Sequence, residues 1–312
     1  MSSRWIYSTV LAGFLIAAGS DAAFAQSTAP QSLDDAWWTG PMLANSAHTM
    51  PKGNMLIESY LYDAISGPAN SVNSLTYLLY GVTDRLTLGL VPTAGYNSVR
   101  GGSDSSGVQL GDTQLRGQYA ITSLDAARGV PDLAIALIQT MPTGKYDRLG
   151  TRPSDGFGGG AYSTALALYS QMVFWMPNGR LLRTRLDLSQ GISSRASVTD
   201  VSVYGTSAGF RGHARPGNNF SADAAFEYSL TRSWVLALDV IYNHNNNSVT
   251  RGTQGGQSVV LNSGTSDSLG FAPAVEFSWT PNIGVLAGVR IIPKGHHTPA
   301  SVTPAVAINY VL

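Results

Sequence analysis

A period of two in hydrophobicity runs through most of the chain and constrains its fold more than any other feature. Between Phe220 and Tyr242, large apolar side chains recur at every second position, and Asp223, Glu227 and Asp239 lie between them. Successive side chains of a β-strand point to opposite faces, so the pattern predicts two strands joined by a tight turn. One face of this hairpin is apolar and the other carries carboxylates.

The same period recurs in segments of about ten residues, the length that a tilted strand needs to cross a membrane. Beyond the N-terminal apolar run, no segment shows a helical period of comparable strength. We therefore predict an all-β fold, an antiparallel transmembrane β-barrel of about twelve strands. The strands are expected near residues 54–63, 73–82, 85–95, 108–121, 131–142, 160–175, 180–191, 218–229, 233–244, 268–279, 284–292 and 301–312.

The predicted connections alternate between short and long. Every second connection is a tight turn or a modest link, at 82–85, 122–130, 177–179, 230–232 and 281–283. The others are mostly longer and rich in Gly, Ser, Asn and Thr, at 64–72, 96–107, 143–159, 192–217, 245–267 and 293–300. Short turns on one side and long polar loops on the other are typical of outer-membrane barrels, and an even strand count places both chain ends on the periplasmic side.

The composition agrees with a wall that faces lipid. Charged residues make up 12% of the 312-residue chain, against about 25% in an ordinary globular domain, and the formal net charge is +0. The chain contains no Cys, which excludes disulfides and thiolate chemistry. The neutral balance gives no indication of nucleic-acid binding.

The charged face of the strands is expected to face the lumen. A lipid-facing Arg or Lys at mid-depth costs about 2–4 kcal/mol, and about ten such charges would exceed a typical domain stability of about 5–15 kcal/mol. Glu58 departs from the pattern, because it shares its face with Leu56, Tyr60 and Tyr62. The residues predicted to line the lumen are Glu58, Asp112, Arg116, Arg183, Arg185, Asp187, Asp223, Glu227, Asp239, Glu276 and Arg290.

Two interpretations of these charges remain open. They form a structural network that fills the barrel, or some of them line a permeation path or bind solute. In either case we expect Arg183 or Arg185 to join Glu227 or Asp223 in one network. Twelve strands fall between filled barrels of about 8 strands and open porins of about 16, so the lumen is predicted to be narrow.

The two ends of the chain carry targeting signals. Residues 1–25 combine Arg4, an apolar run over 10–18 and the sequence Ala23-Phe24-Ala25, which predicts a secretory signal peptide; the run is too short for a membrane anchor. Residues 26–53 have no strand pattern and are either a plug in the lumen or a disordered periplasmic leader. The barrel is expected over 54–312. The last strand ends at Leu312, resembling the terminal signal that the barrel-assembly machinery recognises.

Several short motifs resemble the meta-pathway of phenol degradation family of outer-membrane proteins. This resemblance implies an outer-membrane transporter or channel, in some members linked to the uptake of aromatic compounds, and it supplies no catalytic residues. The motifs, in family order, are Gly40-Pro41-Met42-Leu43, Pro51-Lys52-Gly53, Glu58-Ser59-Tyr60-Leu61-Tyr62, Tyr80-Gly81-Val82-Thr83-Asp84-Arg85, Gly111-Asp112 and Pro142-Thr143-Gly144-Lys145-Tyr146-Asp147.

We predict a bacterial outer-membrane channel for passive uptake of small solutes, with hydrophobic or aromatic compounds as candidates. Its partners are outer-membrane lipid, a small-molecule solute and the assembly machinery, and no cofactor is expected. The alternatives are a structural or adhesive barrel and, from another class, an outer-membrane hydrolase. No nucleophile is placed by spacing, and the adjacent pair His296-His297 lacks a third metal ligand. The glycine run 156–160 precedes a strand, so it does not predict a phosphate loop.

Overall fold

The computed structural model describes residues 30–312, so the predicted signal peptide lies outside the described residues. None of the helices in this part of the chain is long and apolar enough to span a membrane. Two short 3-10 helices cover Leu33–Asp35 and Pro153–Asp155. The strands are β1 (Met55–Ser66), β2 (Ala69–Thr83), β3 (Leu86–Val91), β4 (Thr93–Val99), β5 (Gln109–Leu110), β6 (Thr113–Thr122), β7 (Asp132–Met141), β8 (Ser163–Trp175), β9 (Leu181–Ser193), β10 (Ala196–Thr199), β11 (Phe210–Arg215), β12 (Asn219–Ser229), β13 (Trp234–Asn245), β14 (Val249–Gln254), β15 (Gln257–Asn262), β16 (Ser266–Thr280), β17 (Ile283–Ile292) and β18 (Ser301–Val311).

Fourteen of these strands form one antiparallel sheet that closes on itself through pairing of β1 with both β2 and β18. Strands β3 and β4 together make one wall strand, interrupted at Pro92, which lacks the N–H that a ladder needs. Strands β5 and β6 likewise make one wall strand, interrupted at Gly111 and Asp112. The wall therefore has twelve strands, which confirms the predicted barrel, and closure leaves no unpaired edge.

The barrel wall is apolar outside and small or charged inside. On β16, Leu269, Phe271 and Trp279 are exposed on the outer surface, whereas Ala272 and Glu276 between them are 0% exposed. Outward apolar side chains suit lipid, and inward charges avoid the cost of contact with it.

The sequence missed four strands at the extracellular end. Segments 192–217 and 245–267, predicted to be polar loops, contain β10, β11, β14 and β15, which form a second sheet. These strands are four to six residues long, and their exposed residues are polar apart from Val260. Only small patches such as Val198, Phe210 and Ala214 are buried, which is too weak an alternation to distinguish from a polar loop.

The extracellular sheet continues the barrel wall without a change of register. Gly191 of β9 pairs with Asn219 of β12, and five residues further along each strand Ala196 of β10 pairs with Ala214 of β11. The same continuity holds from the β12–β13 and β13–β16 pairs into β11, β14 and β15. The extracellular sheet is therefore an upward extension of four wall strands.

Candidate functional site

Residues 36–50, which we call the inner segment, run through the interior of the barrel without forming a strand. The main-chain N–H of Thr39 donates to Glu276 Oε2 at 2.8 Å, and that of Gly40 donates to the same oxygen at 3.0 Å. Three amides of the same segment donate to Asp239, from Met42 at 3.0 Å, from Leu43 at 3.3 Å and from Ala44 at 2.9 Å. Wall carboxylates thus satisfy backbone donors that have no secondary-structure partner.

The tip of the inner segment reaches the middle of the barrel. The main-chain N–H of Asn45 donates to Asp187 Oδ2 at 2.7 Å. Asp239 lies five residues above the periplasmic start of β13 at Trp234, which is roughly 17 Å at the rise of a β-strand. The segment therefore occupies the periplasmic half of the lumen.

Small wall residues leave room for the inner segment. Met42 packs against Leu286 and a row of alanines on β13, β16 and β18, and Ala47 packs against the alanines of β7 and β8. A Cβ atom added to Gly284 would lie 2.1 Å from Cγ2 of Thr39. Many of the wall residues that touch the segment are Gly or Ala, because larger side chains at those positions would occupy the same space.

A buried ionic network connects the wall to the inner segment. Arg183 lies directly opposite Glu227 on neighbouring strands, and its Nε donates to Glu227 Oε2 at 2.6 Å. Arg185 donates from Nε to the same oxygen at 3.1 Å and from Nη1 to the carbonyl of Ala44 at 3.0 Å. The guanidinium of Arg183 also lies 4.4 Å from the ring centroid of Trp38. The three charged side chains are nearly inaccessible to solvent, so each depends on its partners.

The structure places the remaining strand residues of the predicted set on the inner face. Arg116 donates from Nη2 to Asn45 Oδ1 and to the Tyr169 hydroxyl, both at 2.7 Å. Glu58 accepts from the Tyr60 hydroxyl at 3.3 Å, so its face, ambiguous in sequence, is the inner one.

Two further residues of the set carry buried atoms without partners. Asp223 lies directly opposite Asp187. Within residues 30–312, Asp223 Oδ1 and Arg290 Nε have no hydrogen-bond partner.

Asp112 differs from the other ten residues. It lies in the break between β5 and β6, where its carboxylate accepts from the amides of Gly144 at 2.9 Å and Gly159 at 2.7 Å. These bonds tie the loop between β7 and β8 to the barrel rim.

In the same loop, between β7 and β8, Asp155 accepts from the amide of Ser106 at 2.7 Å, and this bond lowers the pKa of Asp155 below its ordinary value.

Residues 31–35, which lead into the inner segment, are fastened at the periplasmic turns. Gln31 donates from its main-chain N–H to the carbonyl of Gly179 at 2.8 Å, and Trp175 Nε1 donates to the carbonyl of Gln31 at 2.8 Å. Asp35 forms an ion pair with Arg232 in the turn between β12 and β13. The segment therefore leaves one side of the periplasmic rim, enters the lumen and returns to that rim before β1.

A cavity of about 190 Å³ lies between the inner segment and the wall formed by β1, β2, β3 and β6. The rings of Tyr60 and Tyr77 meet edge to face with centroids 6.2 Å apart, and Arg116 lies 5.3 Å from the Tyr77 centroid. Glu58 and Gln118 also line the space. A cavity of about 150 Å³ holds a benzene molecule, so this one has room for a single aromatic ring.

The histidines lie mainly near the extracellular rim. His244 Nδ1 is 2.7 Å and His296 Nδ1 3.6 Å from the carboxylate of Asp267. His297 stacks on His296 and contacts the carbonyl of Thr265. Across residues 30–312, no three His, Cys, Asp or Glu side chains are placed to hold a metal ion.

The family model described as "Putative MetA-pathway of phenol degradation" matches residues 40–292. The chain is also similar in structure to the COG4313 outer membrane channel from Pseudomonas putida F1, with 15% identity and a TM-score of 0.64 over 87% of this chain and 100% of that one. Similarity to the NanC porin is lower, with 10% identity and a TM-score of 0.45 over 81% of this chain and 98% of that one.

The β domain of the Bordetella autotransporter BrkA gives 11% identity and a TM-score of 0.47 over 84% of this chain and 100% of that one. No curated protein sequence matches the chain. The family match begins within the inner segment and extends through β17, so it covers both the barrel wall and the residues that enter the lumen. The protein therefore belongs to the MetA-pathway of phenol degradation family, as a twelve-stranded barrel of the bacterial outer membrane.

Proposed function

We propose that this protein is a passive channel for small solutes and that the inner segment narrows its lumen. The cavity beside the inner segment carries this proposal. It lies inside a closed barrel, and tyrosine rings and polar groups line it together. Such a lining suits a solute with one aromatic or apolar face and a few polar atoms.

The inner segment acts as a removable constriction. Hydrogen bonds, ion pairs and contacts with small side chains hold it, and none of these is covalent or part of a β-ladder. Because such contacts form and break locally, the segment is able to shift while the barrel stays closed. Solute then passes along the β1–β6 side of the lumen.

Planar-bilayer conductance tests this function. The wild-type protein should carry a small ion current, and benzyl alcohol should reduce that current by occupying the cavity. Ser46→Trp places a large ring on the inner segment beside the cavity and should reduce both the current and the effect of benzyl alcohol. Ser207→Trp, on an exposed extracellular loop, is the matched control and should leave both unchanged.

Two results would contradict the proposal. A wild-type barrel that carries no current and admits no small solute into liposomes would be a structural barrel. Equal currents from wild type and Ser46→Trp would place the conducting path away from this cavity.

A further inference from the structure

Arg116 brings a positive charge without a carboxylate partner to the cavity beside the inner segment. Its side chain is half-buried, and its Nη2 donates to two neutral acceptors, Asn45 Oδ1 and the Tyr169 hydroxyl, both at 2.7 Å. Within residues 30–312, no acidic side chain forms an ion pair with it. A charge held away from bulk water is costly unless it is paired, so an anion in the cavity would supply the missing partner.

Asn45 separates Arg116 from the acids on the opposite side of the lumen. Its Oδ1 accepts from Arg116, while its Nδ2 donates to Asp187 Oδ2 at 3.1 Å. The carboxylates of Asp239 and Glu276, on the same side as Asp187, accept amides of the inner segment. These acids are therefore engaged by the inner segment and do not pair with Arg116.

The guanidinium of Arg116 keeps donors for a ligand. Arginine carries five N–H donors, and the two hydrogen bonds described above are both made by Nη2. The donors on Nε and Nη1 lie outside those two bonds, on a side chain that lines the cavity. Hydrogen bonds between a guanidinium and a carboxylate are charge-assisted and are about twice as strong as neutral ones.

Tyrosine rings lie next to this charge. The guanidinium of Arg116 is 5.3 Å from the ring centroid of Tyr77, which meets Tyr60 edge to face. The cavity of about 190 Å³ has room for a single aromatic ring. A ring that packs against Tyr77 and a carboxylate that reaches Arg116 can therefore belong to one small molecule.

Glu58 lies at the other side of the same cavity. It is directly opposite Tyr77 on β1 and accepts from the Tyr60 hydroxyl at 3.3 Å. The wall order β1, β2, β3, β6 puts two strands between the strands of Glu58 and Arg116, so their backbones are roughly 14 Å apart at the usual spacing of strands. A ligand whose ring lies between them can hold its negative group at Arg116 and away from Glu58.

We infer that the cavity binds monocyclic aromatic carboxylates, of which benzoate is the simplest. The carboxylate accepts from Arg116, and the ring packs against the tyrosines. This inference rests on the proposed function, because it names the class of solute that the channel admits. It goes beyond that function by assigning a negative charge to the solute and a residue that recognises the charge.

Equilibrium dialysis of the full-length protein in detergent, against detergent alone, measures binding without conduction. Benzoate should bind about tenfold more tightly than benzyl alcohol, which has the same ring without the charge, and benzylammonium should bind no more tightly than benzyl alcohol. In Arg116→Gln, benzoate should bind about tenfold more weakly than in wild type, while benzyl alcohol keeps its affinity. Arg100→Gln, which changes an exposed arginine outside the barrel strands, is the matched control and should bind both as wild type does.

The ligand series on the wild type decides the question even if Arg116→Gln fails to fold. Equal binding of benzoate and benzyl alcohol, or tighter binding of benzylammonium, would overturn the inference, as would equal benzoate binding by wild type and a folded Arg116→Gln. Acetate that binds as tightly as benzoate would also overturn it, because the tyrosine rings would then contribute nothing. A barrel that prefers benzoate but carries no bilayer current would contradict the channel and keep the ligand class, whereas a current without any preference for benzoate would do the reverse.

Discussion

The two sides of the lumen hold the inner segment in different ways. On the side formed by β9, β12, β13 and β16, carboxylates accept its amides and Arg185 donates to its carbonyl. On the side formed by β1, β2, β3 and β6, a few side chains reach it across a cavity. One side is therefore a fastening surface, and the other borders the cavity that we propose as the solute path.

Side-chain size accounts for much of this difference. The fastening side carries alanines that let the segment approach, with acids between them to accept its amides. The opposite side carries Tyr60, Tyr77 and Arg116, whose long side chains keep the segment at a distance. The same irregular peptide is thus bonded tightly on one flank and loosely on the other.

The largest effect is expected from Glu227→Ala on the fastening side. This change leaves Arg183 and Arg185 buried without their carboxylate, which should lower the free energy of unfolding by about 3–5 kcal/mol. Heat-dependent unfolding, followed by gel mobility or circular dichroism in detergent, measures the loss. The double variant Arg183→Met/Glu227→Met should recover the part of the loss that comes from Arg183, while Arg185 still lacks its carboxylate, and a double variant less stable than Glu227→Ala would contradict the network.

A smaller effect on stability and a larger one on conductance are expected from Asp239→Ala. The amides of Met42, Leu43 and Ala44 lose their acceptor, and each unsatisfied buried donor costs about 1–3 kcal/mol unless it moves to water. The segment should loosen, so the bilayer current should rise and fluctuate more. An unchanged current would show that Asp239 does not control the constriction.

On the side of the lumen that borders the cavity, a substitution should change block of the current more than it changes stability. Tyr77→Leu removes a ring that packs edge to face on Tyr60, a contact worth about 0.5–1.5 kcal/mol. Stability should change little, whereas block of the current by benzyl alcohol should weaken. Tyr80→Leu, on the outer surface of the same strand, is the matched control, and equal weakening by both variants would exclude a role for the Tyr77 ring.

The smallest expected effect on stability concerns neither side of the lumen but the extracellular loop that contains Asp155. Its lowered pKa means that the unfolded loop takes up a proton before the folded loop does as the pH falls. The stabilisation is therefore complete at neutral pH and is lost below the ordinary aspartate range, near 3.8. The NMR shift of the Ser106 amide should titrate with a midpoint below that value in wild type and stay flat in Asp155→Asn. A midpoint at or above that value would contradict the hydrogen bond.

Regular features of this molecule were predictable from sequence, and irregular ones were not. A strand predicted at 233–244 spans Trp234–Asn245, because a wall between lipid and lumen imposes strict alternation on every residue. The partnership of Arg183 with Glu227 followed from opposite charges on adjacent strands. Asp112 carried the same polar signal, but the strand breaks there, and its partners are loop amides that no periodicity reveals.

The path of the inner segment was equally beyond prediction. Its contacts are made by main-chain amides, which every sequence offers, and their acceptors lie about 140 to 240 residues away in the chain. The alanines opposite it were visible as small residues on inner faces. Nothing in the pattern showed which peptide would cover them.

Amide hydrogen exchange of the inner segment tests the central claim most directly. In the wild type, the amides of Thr39, Gly40, Met42 and Ala44 should exchange slowly, because carboxylates hold them inside the barrel. Asp239→Ala should accelerate exchange at positions 42 and 44, whereas Glu58→Gln, across the cavity, should leave all four protected. Fast exchange at these amides in the wild type, or equal acceleration by both variants, would contradict the assignment of the fastening side.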